Sequence, residues 1–227
     1  MDLSKIEMVF SPSSVNERIH IIGCGSVGST IAELLARYGL TKFTLWDMDI
    51  VEPKNIVNQM FFHSDIAHPK VEAVANRICE VNPDAKADIK LMPNGWNGEQ
   101  VRGYVFLAVD SIEIRKQFLE KNKYNANLLG VFDIRTGLYG AQCWSANWKD
   151  RKQIENLKNS MDFTHEEAKA STPISACGIV QGVAPTVRMI SCLAVTNFIN
   201  FATGGDLKKQ IVADPFHLSA ESSVMAF

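Results

Sequence analysis

Short apolar runs alternate with amphipathic stretches along most of this chain. A mostly apolar run at 18–22 precedes apolar residues at helical spacing over 29–38, and a second run rich in aromatic and β-branched residues follows at 42–47. Continuous apolar runs are typical of buried parallel strands, and a 3.6-residue period is typical of helices. The order therefore predicts a strand, a helix and a second strand. The same alternation predicts further strands at 87–92, 104–109 and 127–132 and further helices at 70–81 and 111–121.

The pattern changes in the last third of the chain. Residues 138–146 alternate in polarity and predict an added antiparallel strand, whereas the charged and polar stretch 147–172 predicts a crossover segment with at most one short helix. Apolar positions predict a long helix over 178–201, and the tail beyond it has only a weak pattern. We expect an α/β fold with a doubly wound, mostly parallel sheet in a single domain spanning 1–227, whose Rossmann-like nucleotide-binding half covers about 16–135.

Composition excludes several classes of partner. The net charge of −2 gives no general basic surface for nucleic acid, and polar residues interrupt the longest apolar stretch, so no membrane span is expected. The N-terminus has no long apolar run of the kind a secretory signal needs. Five cysteines without a C-x-x-C pair favour a reducing, cytoplasmic location and no zinc site.

A glycine motif gives the first indication of chemistry. Gly23, Gly25 and Gly28 form G-x-G-x-x-G between the first predicted strand and helix, and Ser26 lies within the motif. In this context the glycines allow a tight turn and close approach of a phosphate, while the N-terminus of the helix offers free N–H groups to an anion. The motif predicts a nucleotide site. Asp47, at the end of the second strand, suits a ribose hydroxyl, and these features alone would also fit an NAD-dependent oxidoreductase.

Further segments make the prediction more specific. They are, in chain order, Asp47-Met48-Asp49, Asn55-Ile56-Val57-Asn58-Gln59, Pro69-Lys70, Asn82-Pro83, and Asp110 at the end of an apolar run. Together they resemble the ubiquitin-activating-enzyme-like adenylyltransferases, the ThiF/MoeB/HesA superfamily. The resemblance covers roughly residues 16–145 and resumes at 176–205, where Gly178 opens a long helix.

The resemblance implies roles for individual residues. Gly23, Gly25, Ser26 and Gly28 would hold the ATP phosphates, and Asp47 would hold the ribose. The other implied nucleotide ligands are Asn55 and Lys70. Asp49 is a further candidate in the cofactor site, as a second ligand of the metal, with capping of the following loop as an equal alternative. Lys70 would also act in catalysis by neutralising phosphate charge, and Asp110 would be catalytic as the ligand of Mg²⁺, which suits one or two carboxylates plus phosphate oxygens.

The implied reaction is ATP-dependent adenylation of the C-terminal carboxylate of a small ubiquitin-like or sulfur-carrier protein. The resemblance also implies a homodimer or heterodimer. One position departs from the family pattern: Asn58 replaces an arginine that would contact the triphosphate. A catalytically degenerate nucleotide-binding scaffold, or partner of an active subunit, is therefore the alternative function. Four cations could replace the missing charge, namely Lys54, Arg115, Arg135 and Arg188.

Cysteine chemistry is a separate possibility. Cys177 lies where the polar segment returns to a helix, and a helix N-terminus lowers the pKa of a thiol, so it is the first candidate for a thioester-forming nucleophile. Cys143 is the second candidate. The alternative for both is a small buried residue that packs in the core.

Overall fold

The computed structural model describes residues 1–162 and 182–223, and their eight strands form one sheet. The strands are β1 (Ile19–Ile22), β2 (Phe43–Trp46), β3 (Lys90–Met92), β4 (Gly103–Leu107), β5 (Leu128–Thr136), β6 (Ala141–Asn147), β7 (Gln210–Asp214) and β8 (Ser219–Ser223). They lie in the order β3-β2-β1-β4-β5-β6-β7-β8. The first five are parallel and β6, β7 and β8 are antiparallel, so the expected mostly parallel α/β sheet is confirmed.

Helices cover both faces of this sheet. The α-helices of the described residues are α1 (Ser26–Arg37), α2 (Lys70–Val81), α3 (Ile112–Asn122), α4 (Arg151–Asn159) and α5 (Ala184–Ala202). Buried side chains of α1, α2 and α5 pack on one face of the sheet and form one apolar core. Those of α3 and α4 pack on the opposite face and form a second core. Strands β1, β2 and β4 lie between two helical layers and are buried almost throughout, which is why they appear in the sequence as continuous apolar runs.

Several elements differ from the sequence-based prediction. Helix α1 begins at Ser26, directly after the glycine loop, rather than at position 29. Within the polar stretch 147–172, α4 is the one short helix that the sequence allowed, nine residues long and capped by the Asp150 side chain. The described part of the helix predicted over 178–201 begins at Ala184, and the tail forms the hairpin β7–β8.

Strand register places the candidate site at one edge of the sheet. Ile22 at the end of β1 pairs with Trp46 of β2 and Leu107 of β4, and Leu107 pairs with Asp133 of β5. The segments that follow β1, β2 and β4 therefore emerge side by side at the carboxyl edge, where ligands bind in open α/β sheets. None of the described helices is long and apolar enough to cross a bilayer.

Candidate nucleotide site

The glycine loop joins β1 to α1 in a tight turn. Gly23 has φ +93°, and a Cβ atom there would lie 2.6 Å from the Ala108 carbonyl oxygen; at Gly28 it would lie 1.8 Å from the Gly23 carbonyl oxygen. A Cβ at Gly25 would meet only the Gln59 side chain, at 4.0 Å. The first and third glycines are thus required by packing, whereas the second faces open space. Within residues 1–162 and 182–223, no side chain caps the N-terminus of α1, and its first turn has no acidic residue, so its N–H groups remain available to an anion.

Asp47 is fixed beside this loop. Its Oδ2 accepts a hydrogen bond from the Cys24 backbone N–H at 2.6 Å, and its Oδ1 accepts one from the Asp49 N–H at 2.9 Å. Burial raises the pKa of Asp47 above its ordinary value, although these hydrogen bonds and the charge of Lys70 act in the opposite direction. Each carboxylate oxygen has a further lone pair. The Asp47 carboxylate can therefore accept ribose hydroxyls while it holds the turn.

Asp49 and Lys70 form an ion pair across the same edge. The Lys70 Nζ lies 2.7 Å from Asp49 Oδ2, and the Lys70 N–H donates to the Asp49 carbonyl oxygen at 2.9 Å. The lysine side chain is 10% exposed and the aspartate side chain 62%. Asp49 thus holds a nearly buried ammonium group at the start of α2, and phosphate oxygens would have to share or replace that carboxylate.

The segment after Asp49 places three amide side chains near the loop. Asn55 is buried, and its Oδ1 accepts a hydrogen bond from the Glu52 N–H at 2.8 Å. Asn58 Nδ2 donates to the Gly182 carbonyl oxygen at 3.1 Å, just before α5. Gln59 Oε1 is buried, has no hydrogen-bond partner among the described residues and faces Gly25. No role for Gln59 was predicted from the sequence, although its place next to Asn58 in the resembling segment was an available signal.

Asp110 lies three residues beyond β4, in the turn next to the glycine loop. Its side chain is exposed and has no hydrogen-bond or ion-pair partner within the described residues, although its negative charge acts on Arg115 and raises the pKa of that group. Those residues also hold no group of three or more His, Cys, Asp or Glu side chains that could bind a metal ion. A free carboxylate beside a phosphate site fits a magnesium ion that has one protein ligand and takes its others from phosphate and water.

The four candidate cations have different environments. Lys54 pairs with Glu52 at 2.6 Å, and both Arg115 and Arg135 pair with the buried Asp133. Burial lowers the pKa of Arg115 to about 9 and that of Arg135 to about 10. Arg188 donates to Thr30 Oγ1 of α1 at 2.5 Å. Among the described residues, Arg188 is the one of these four without an acidic partner.

The structure limits which cysteines could react. Cys143 is fully buried in β6, and burial raises its pKa to about 12, so its thiol is a weak candidate for a nucleophile. Cys24 is also buried, and its pKa is raised well above the ordinary value. Cys177 lies outside the described residues, and its proposed thioester role stays a prediction.

The parallel sheet and the glycine turn between β1 and α1 define a Rossmann-like α/β fold. The sequence profile of the ThiF family matches residues 13–223. The chain belongs to the ThiF family, within the superfamily of ubiquitin-activating-enzyme-like adenylyltransferases, as the sequence motifs predicted.

Curated relatives support the same family. "Ubiquitin-like modifier-activating enzyme 5" of Aedes aegypti is 34% identical over 106 residues, which are 46% of this chain and 25% of the relative. The Arabidopsis thaliana protein of that name is 36% identical over 86 residues, which are 37% of this chain and 20% of the relative. The matched stretch thus spans about a quarter or less of these relatives.

Solved structures show the same fold at low identity. The structure of E. coli MccB with ATP matches with TM-score 0.68 and 17% identity, and covers 93% of this chain and 65% of that chain. PaaA matches with TM-score 0.69 and 15% identity at the same coverage. This chain therefore spans just under two thirds of these proteins. Some MccB structures also contain MccA, as the complex with AMPCPP does.

Proposed function

We propose that this protein adenylates the C-terminal carboxylate of a small ubiquitin-like or sulfur-carrier protein, with ATP as the nucleotide and Mg²⁺ as its counterion. The observation that carries the proposal is the arrangement at the carboxyl edge of the sheet. There Gly25 follows β1 and Asp110 follows β4, while Lys70 pairs with Asp49, which follows β2. The edge therefore combines open space, a nearly buried ammonium group and an exposed carboxylate. The relatives named as modifier-activating enzymes, and the MccB structures with ATP and with MccA, support it.

The reaction needs positive groups at this edge. A carboxylate oxygen of the carrier would form a bond to the α-phosphorus of ATP while the bond to the bridging oxygen breaks and pyrophosphate leaves. Because an anion attacks an anion, cations and N–H donors must stabilise the transition state. The N-terminus of α1 and Lys70 would supply these, Asp47 would hold the ribose, and Asp110 would hold Mg²⁺, which neutralises phosphate charge when bound.

Three further expectations are part of this proposal. We infer a homodimer or heterodimer, a single adenylyltransferase domain and a cytoplasmic location without a structural zinc ion. The four cysteines of the described residues are free thiols, which fits a reducing environment. Sedimentation of the purified chain with and without a carrier protein would measure the state of assembly.

A second candidate function is a nucleotide-binding scaffold without catalytic activity. Asn58 favours it, because its neutral amide donates to the Gly182 carbonyl oxygen and offers no charge to a phosphate. ATP–pyrophosphate exchange with candidate carrier proteins separates the two functions. Carrier binding without exchange would favour the scaffold. Stabilisation of the fold by NAD but not by ATP with Mg²⁺ would reverse both proposals in favour of an oxidoreductase.

The Asp110→Asn variant tests the magnesium assignment. We expect exchange to fall by about 100-fold or more, because removal of a group that stabilises transition-state charge costs about 3 kcal/mol. The melting temperature should stay unchanged because the side chain is exposed and unpaired in the described structure. Asp206→Asn, at another exposed position, is the matched control and should keep normal exchange. Near-normal exchange by Asp110→Asn would remove Asp110 from the site.

A further inference from the structure

Arg188 occupies an unusual electrostatic position. It lies on α5, and its guanidinium group donates to Thr30 Oγ1, which in turn donates to the carbonyl oxygen of Ser26 at the start of α1. Two hydrogen bonds therefore connect this cation to the residue after the glycine loop. The N-terminus of a helix has a partial positive charge, so a cation beside it is unfavourable unless an anion is also present.

The protein itself supplies no such anion among the residues that the structure describes. The first turn of α1 has no acidic residue. Glu33, one turn further on, pairs through Oε1 with Arg37, and its buried Oε2 has no partner among the described residues and makes no ion pair with Arg188. Thr30 is the single described partner of Arg188, which leaves most of its five N–H donors unused. Arg188 is partly exposed, so these donors can reach a ligand.

Neighbouring contacts place Arg188 at the nucleotide site. The Met60 N–H donates to Ser29 Oγ on α1, and Gln59 faces Gly25, so the segment 58–60 covers the first turn of α1. Asn58 links that segment to Gly182, two residues before α5. The starts of α1 and α5 are thus joined through the segment 58–60, whose Gln59 faces Gly25.

We propose that Arg188 is a phosphate-binding residue of this site, which contacts the β- or γ-phosphate of ATP and supplies the charge that Asn58 lacks. The inference rests on the proposed function, because it assumes that the site holds a nucleoside triphosphate. An arginine suits this role because its planar group can make two parallel hydrogen bonds to phosphate oxygens.

Calorimetric titration with ATP plus Mg²⁺, and separately with adenosine, tests the role. Arg188→Gln should weaken ATP binding by about 10- to 100-fold, because hydrogen bonds to a charged group typically contribute that much to affinity. Adenosine binding should be unchanged. Arg188→Lys should lose less, since it keeps the charge but not the paired geometry. The double variant Asn58→Arg with Arg188→Gln should recover part of the ATP affinity. Arg37→Gln, at the far end of α1, is the matched control and should bind both ligands normally.

The outcomes distinguish this inference from the proposed function. Unchanged ATP affinity in Arg188→Gln, or an equal loss for ATP and adenosine, would overturn the role of Arg188 while the wild-type protein still binds ATP. If the wild-type protein binds neither ligand, the proposed function fails and this inference fails with it. If Arg188→Gln does not fold, Arg188→Lys is compared with the wild-type protein instead. A loss of affinity for ATP but not for adenosine would support the role of Arg188, and an unchanged ATP affinity would overturn it.

Discussion

At the scale of single residues, two glycines of the same motif, Gly25 in the loop and Gly28 in α1, face opposite constraints. We predict that Gly28→Ala lowers the free energy of unfolding by about 3 kcal/mol, because the new Cβ would overlap the Gly23 carbonyl oxygen. Gly25→Ala should change it by less than about 1 kcal/mol but weaken ATP binding, because its methyl group projects into open space where a phosphate would approach. Urea denaturation and ATP titration of both variants would check this. Equal stability of the two variants would contradict the packing argument.

The sequence predicted the positions of residues that follow strand ends better than contacts between residues far apart in the chain. Asp47 and Lys70 were expected at a ligand site, and the structure brings them to one edge with the glycine loop. The pairing of Asp49 with Lys70 was not expected. Nor was the contact of Asn58 with Gly182, which is 124 positions away, or that of Arg188 with Thr30, which is 158 away. Such contacts depend on how helices pack, and no local pattern encodes them.

At the scale of secondary-structure elements, Arg115 joins β4, β5 and α3. Its guanidinium group donates to the carbonyl oxygens of Val109 and Ile134 and pairs with Asp133. Arg115→Met should lower the free energy of unfolding by about 3 kcal/mol or more, because it removes a partner from a buried carboxylate. Thermal and urea denaturation would measure this, with the exposed Lys121→Met on the same helix as the control. A loss below about 1 kcal/mol would mean that Arg135 alone satisfies Asp133.

How well each element could be predicted from the sequence depends on how it is buried. Strands between two helical layers were predicted well because both faces are apolar. The hairpin β7–β8 was missed because β8 is a largely exposed Ser-Ala-Glu-Ser-Ser segment whose strand structure comes from pairing with β7. Helix α4 had a local signal that the sequence analysis did not use, namely Asp150, whose side chain accepts hydrogen bonds from the N–H groups of Lys152 and Gln153.

At the scale of the whole molecule, we expect the stability of the fold to depend on pH through one buried histidine. His20 of β1 accepts a hydrogen bond from Trp46 Nε1 on β2, and its Nε2 lies 3.0 Å from the Arg102 carbonyl oxygen. The pKa of His20 is lowered from 6.5 to about 4, mainly by burial. The hydrogen bond to the Arg102 carbonyl oxygen acts in the opposite direction, and the charges of Arg18 and Lys90 act in the same direction as burial. The neutral ring thus links neighbouring strands in the centre of the fold.

Acid should therefore destabilise the whole fold below about pH 6.5. The unfolded chain binds a proton at His20 near pH 6.5, whereas the folded protein binds it only near pH 4, so stability contributed above pH 6.5 is lost progressively as the pH falls to about 4. This difference corresponds to about 3 kcal/mol at full effect. Urea denaturation at a series of pH values should show that His20→Gln has a flatter profile than the wild-type protein across that window. His63→Gln, at an exposed position, should follow the wild-type profile, and parallel profiles for wild type and His20→Gln would show that other groups control acid unfolding.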